Sequence, residues 1–154
     1  MTVAGHSLTF KPRDVLALIR CRLFFYLKLQ QLMKALIVDD SRAMRRLLSH
    51  LCNNISCDTI EACDGRAGLK EAKSNLPFDI ALLDWDMPEM NGLELLRELR
   101  SDQQFTDTKI MMVTSHNSMD DITAAVESGA DDFLMKPITE EMFVDKMRLL
   151  GFVG

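Results

Sequence analysis

The chain has little that would send it to a specialised class. Its four cysteines, Cys21, Cys52, Cys57 and Cys63, show no CxxC spacing and no nearby histidine pair. That pattern argues against a zinc site or a disulfide framework and reads as reduced thiols in a cytoplasmic protein. His6, His50 and His116 are scattered, so no metal or catalytic histidine cluster is expected. The longest apolar stretch, residues 15–32, is interrupted by Arg20, Arg22 and Lys28. No uncharged run reaches the roughly 18–20 residues needed to span a bilayer. The same arginines, and the lack of a small-residue cleavage site before Met33, make a signal peptide a poor fit. Internal repeats and low-complexity segments are also missing.

What is present suits one globular domain. The 154 residues are 47% hydrophobic and 27% charged, enough to bury a sizeable core. The net charge of −5 is unevenly spread. Residues 1–32 hold Lys11, Arg13, Arg20, Arg22 and Lys28 against Asp14, so this segment carries +4 and the other 122 residues −9. An acidic body argues against nucleic acid as a direct partner. For residues 1–32 three readings stay open: a helix lying on a membrane or partner surface, an accessory helix packed on the domain, or an extension upstream of a natural start at Met33. Membrane contact is expected only under the first, and the domain proper is expected over 33–154.

From Met33 the chain alternates between two periodicities. Apolar runs at 34–38, about 58–62, 80–83, 109–113 and 132–135 read as strands, and those without alternation as strands covered on both faces. Between them lie helical stripes. The first carries Met44, Leu47, Leu48 and Leu51 after a cap at Asp40 or Ser41, and the second runs about 67–74 with Leu69 and Ala72 inward. The third carries Leu93, Leu95, Leu96 and Leu99. The fourth opens at Ser118 with Asp121 in capping-box spacing, carries Ile122, Ala125 and Val126, and stops at Gly129. The last, about 139–150, carries Met142, Phe143, Met147 and Leu150. Alternating strands and helices with short connections make a (βα)₅ α/β fold with a parallel sheet.

The chemistry stands at the strand ends. FDIALLDWDMPEMNG at 78–92 runs apolar until Asp84, follows with Asp86, and turns through Pro88 and Gly92. Asp39 and Asp40 end the first strand, Thr114 the fourth, and Lys136 follows the fifth. In a parallel sheet, groups at the C-terminal ends converge on one crevice, where ligands bind. Clustered carboxylates there suit Mg²⁺, which takes a few carboxylate oxygens and keeps several waters. A carboxylate is also an oxygen nucleophile toward a phosphoryl group, and Lys136 and Thr114 offer a cation and a hydroxyl to its oxygens. Trp85, between two acids, should be a partly exposed neighbour of this site. The eleven methionines read as adaptable core filler.

IVDD at 37–40, LLDWDMPEMNG at 82–92, MVTS at 112–115 and MKP at 135–137 resemble, in order and spacing, the response-regulator receiver domain of two-component systems, in its stand-alone CheY-like form. The resemblance covers 33–154. It implies a doubly wound, flavodoxin-like five-stranded sheet of order 2-1-3-4-5. It further implies Asp84 as phosphoacceptor, with Asp40 and Asp84 ligating Mg²⁺, Asp39 helping through water and Asp86 offering its backbone carbonyl. Thr114 and Lys136 would contact the phosphoryl group. Thr114 and Phe133 would form the switch, with phenylalanine where the family commonly has tyrosine. The implied donor is a sensor histidine kinase, and the receiver would catalyse only its own phosphorylation and dephosphorylation. With no effector domain after Gly154, output is expected through a target such as a flagellar motor protein, or onward to a histidine phosphotransfer protein in a phosphorelay. The Asp-Trp-Asp after a strand also resembles haloacid dehalogenase phosphatases, whose order of acids differs.

Overall fold

A computed structural model describes residues 32–154, and the expectations for the segment before them, Cys21 included, lie outside the described residues. The elements are β1 (Met33–Val38), α1 (Arg42–Asn54), β2 (Cys57–Ala62), α2 (Gly65–Ser74), β3 (Ile80–Asp84), α3 (Gly92–Ser101), a 3₁₀ turn (Gln103–Phe105), β4 (Lys109–Thr114), α4 (Met119–Glu127), β5 (Asp132–Met135) and α5 (Glu140–Leu149). The five strands form one sheet in the order β2-β1-β3-β4-β5, with every pair parallel. This is the flavodoxin-like order that the sequence resemblance implies.

Alternation within each strand divides the core into two layers. Leu36, Val38, Ala81, Leu83, Ile110 and Met112 point to the side covered by α2, α3 and α4. Their neighbours Ala35, Ile37, Ile80, Leu82, Met111 and Val113 point to the side covered by α1 and α5. β3 is buried along its whole length, which explains its unbroken apolar run. Each helix begins where a side chain accepts a backbone N–H of its first turn: Ser41, Asp64, Asn91, Ser118 and Thr139. Such caps contribute about 1 kcal/mol each. Among the described residues no helix is long and apolar enough to cross a membrane.

Several expectations need correction. Leu47, Val126 and Met142 belong to the predicted inward stripes but are exposed. Leu48 and Leu51 face the sheet in α1, and short Ala125 is the only fully buried residue of α4, so that helix sits high on its sheet. The reciprocal capping box is at Asn91–Glu94. At Ser118 the hydroxyl accepts from the Asp121 N–H, but the Asp121 carboxylate accepts a hydrogen bond from the Ser118 hydroxyl rather than from the Ser118 backbone N–H.

One arginine fastens the far end of α4. Arg100 of α3 donates to the carbonyls of Gly129, Phe105 and Thr108 at 2.9, 3.0 and 2.9 Å, and to the Asp131 carboxylate at 2.7 Å. Arg97 adds a bond to the Ser128 hydroxyl at 3.0 Å. The C-terminal end of α4 is thereby tied to α3 and to the start of β5.

Candidate functional site

Strand register brings the polar residues together. Val38 lies opposite Leu83 and Asp84 opposite Val113, while Thr114 lies opposite Met135. Asp39 continues β1 by donating its N–H to Ala62 O, and Lys136 continues β5 by donating to Thr114 O. Asp39, Asp84, Thr114 and Lys136 therefore stand side by side at the C-terminal edge of the sheet. The loop from Asp84 into α3 is closed by the Gly92 N–H, which donates to Trp85 O at 2.9 Å.

Lys136 lies at the centre. Its Nζ donates to Asp84 Oδ1 at 2.7 Å and to Asp39 Oδ2 at 3.1 Å. The other Asp39 oxygen accepts the Ser41 N–H at 2.8 Å. Asp39 and Asp84 are 1% and 5% exposed, whereas Asp40 faces solvent. One carboxylate oxygen from each of the three aspartates falls within 4.8 Å of the others. Three carboxylates against one ammonium leave the pocket two charges negative when all are ionised. Burial is the main cause that raises the Asp84 pKa, with Asp39 and Asp40 adding repulsion and Lys136 opposing them. Burial pulls the Lys136 pKa down, but its bonds to Asp84 and Asp39 outweigh this and the net shift is upward. An all-oxygen donor set with excess negative charge fits a hard divalent cation.

Thr114 is buried, and its Oγ1 accepts the His116 N–H at 2.9 Å. The Asp86 side chain is 74% exposed and does not join the three clustered carboxylates. Phe133 stands apart from the acids. It packs against the core on the α4 side and lines a groove of about 380 Å³ with Ile122, Met142 and Leu149.

His116 escaped the sequence reading, which took the histidines as scattered. Its Nε2 lies 2.9 Å from Asp86 Oδ2, its Nδ1 lies 3.1 Å from Asp121 Oδ2, and its ring stacks on Trp85 at 5.0 Å between centroids. Trp85 is half-buried, as expected. Hydrogen bonding to Asp121 is the main cause that raises the His116 pKa; burial opposes it, and Asp86 adds to the rise. The available signal was positional: His116 falls two residues after a strand-end threonine and just before a helix cap.

A doubly wound sheet with acids, a lysine and a hydroxyl meeting beyond its C-terminal edge defines a flavodoxin-like α/β protein with its site in the usual crevice. The comparisons with known proteins narrow this. The family model for the response regulator receiver domain matches residues 35–148, and the chain belongs to that family. Chemotaxis protein CheY1 of Helicobacter pylori is 32% identical over 119 residues, covering 77% of this chain and 96% of that protein. Chemotaxis protein CheY of Pseudomonas aeruginosa is 36% identical over 116 residues, covering 75% and 93%. Among solved structures, chemotaxis response regulator CheY4 of Vibrio cholerae superposes with a TM-score of 0.73 at 30% identity, covering 78% of this chain and 99% of its own. The chain is thus a response-regulator receiver, a signalling domain of two-component systems.

Proposed function

We propose that Asp84 accepts a phosphoryl group from a sensor histidine kinase in a Mg²⁺-dependent reaction, and that the modified receiver signals through a changed protein-binding surface. The observation that carries this is the convergence of the Asp39, Asp40 and Asp84 carboxylates, with the Lys136 ammonium bonded to Asp39 and Asp84. An Asp84 oxygen attacks phosphorus as the bond to the donor nitrogen breaks. Lys136, already 2.7 Å from Asp84, pairs with a phosphoryl oxygen, and the Thr114 hydroxyl donates to another. Asp40, Asp84 and the Asp86 carbonyl would hold Mg²⁺ directly and Asp39 through water; bound there, the ion offsets the negative charge of the carboxylates and the transferring oxygens. The names of the relatives point to a chemotaxis or motility pathway and to a target protein within it.

Acetyl phosphate with Mg²⁺ should place one acid-stable, base-labile phosphoryl group on each chain, and EDTA should prevent it. Continuous turnover of p-nitrophenyl phosphate would instead mark a phosphatase. For the readout we assign Thr114 and Phe133 as the switch pair. Phe133 has no hydroxyl to anchor it, so its two positions differ only by apolar burial and space. Thr114→Ala should leave Asp84 labelled while shrinking the ratio of kinase affinities measured with and without beryllofluoride. A wild-type ratio in that variant would remove Thr114 from the switch.

A further inference from the structure

His116 joins three separate parts of the fold: the loop after Asp84, the end of β4 and the first turn of α4. Its backbone N–H is held by the Thr114 hydroxyl oxygen, its ring lies on Trp85, one ring nitrogen meets Asp86 and the other meets Asp121 in the first turn of α4. Each ring nitrogen thus lies within hydrogen-bond reach of a carboxylate oxygen, one on either side of the ring. The ring is a bridge between the acceptor loop and α4, two segments separated by a strand and a helix in sequence.

The rest of α4 is lightly held. Ala125 is its one fully buried residue, and Met119 and Val126 are 74% and 55% exposed. Its C-terminal end is fixed by Arg97 and Arg100, which bind Ser128 and Gly129. At the N-terminal end, the tie to the acceptor loop among the described residues runs through His116 and Asp121. A helix fastened at one end and bridged at the other can pivot when the bridge moves.

We infer that His116 is the positioning residue that couples the acceptor site to α4, the bridge through which a shift of Thr114 moves the N-terminal end of that helix. This rests on Asp84 being the acceptor. When the Thr114 side chain turns toward a phosphoryl group on Asp84, its oxygen ceases to be a fixed partner for the His116 N–H. The ring, gripped by Asp86 and Asp121, then carries the change to the first turn of α4. The apolar groove lined by Ile122 and Phe133 lies beside that helix, so its width follows the helix.

The test uses the full ¹⁵N-labelled chain, with beryllofluoride and Mg²⁺ as the probe, and follows backbone amides. In the wild type, the amides of Asp84 and Trp85 and those along α4 should all shift. In His116→Ala, the Asp84 and Trp85 shifts should persist while those of α4 are lost. Asp121→Ala, which keeps the Ser118 cap on the Asp121 N–H, should give the same separation and covers the case in which the histidine variant fails to fold. His116→Gln, able to reach one carboxylate but not both, should restore part of the α4 response. A purely structural histidine would leave the α4 response intact in the folded variants, and that result would overturn the inference alone. Silence of the Asp84 and Trp85 amides in the wild type would overturn the acceptor reading and this inference with it.

Discussion

Asp84→Asn should take up no phosphoryl group from acetyl phosphate. The side chain keeps its shape but loses its charge, and an amide oxygen is far too weak a nucleophile to displace acetate from phosphorus. The two remaining acids do not rescue the reaction. Asp39 is buried with its oxygens committed to Ser41 and Lys136, and Asp40 is exposed, with the Lys136 ammonium bonded to Asp39 and Asp84 instead. Stable label on the Asn variant, located by mass spectrometry, would assign the acceptor elsewhere.

The same substitution should raise the thermal midpoint in metal-free buffer, because the Asp84 carboxylate is buried beside two other carboxylates. Burial among like charges raises the Asp84 pKa above its ordinary 3.8. A raised pKa means that the folded state binds the proton more tightly than the unfolded one. Its stabilisation is therefore present below the unfolded pKa and lost as pH rises through the folded one. At neutral pH the ionised carboxylate is a cost that Asn removes, while Lys136 keeps Asp39 as a partner. The advantage of the variant should widen from about pH 4 toward neutrality. Mg²⁺ should reverse the order, since a ligand at a hundred times its Kd stabilises by about 2.7 kcal/mol and the variant lacks one of the proposed metal ligands. A variant melting below the wild type at pH 7 in EDTA would contradict this account.

The strands and the site edge were legible because both rest on local patterns. The run IALLD at 80–84 says that β3 is covered on both faces and where it stops, and strand parity then fixes which ends meet. The family resemblance supplied the strand order, which no periodicity contains. What stayed hidden depends on pairs distant in sequence. Asp86 and His116 are 30 residues apart, and nothing in either neighbourhood says that they touch. Arg100 looks like an ordinary surface residue at the end of α3 until Gly129 and Asp131 are seen within its reach. The exposed apolar residues of α4 and α5 follow the same helical period as buried ones. Only the height of each helix above the sheet decides which become core.

Gly92→Ala should be among the most damaging single substitutions, because the start of α3 is pressed against the last residue of β3. A Cβ at Gly92 would run into the Asp84 carbonyl oxygen, lie 2.9 Å from its carbonyl carbon, and meet Met112 Cε at 3.1 Å. The obstacle is backbone, so no rotamer change relieves it. Yielding means either moving α3 off the sheet, with Leu95, Leu96 and Leu99 behind it, or moving Asp84 and its bond to Lys136. It would also strain the Gly92 to Trp85 hydrogen bond that closes the loop after Asp84. We expect a loss on the order of 3 kcal/mol, as for severe overpacking, read as a lower urea midpoint with an unchanged slope. The folded fraction should also label more slowly from acetyl phosphate. Gly151→Ala is the control: its φ of +85° strains any side chain, but nothing lies within 4 Å of the added carbon. That change should cost about 1–2 kcal/mol of conformational energy and leave the labelling rate untouched. A Gly92→Ala protein with the wild-type midpoint and labelling rate would mean that the β3–α3 junction yields freely, and the rigid placement of Asp84 argued above would fail with it.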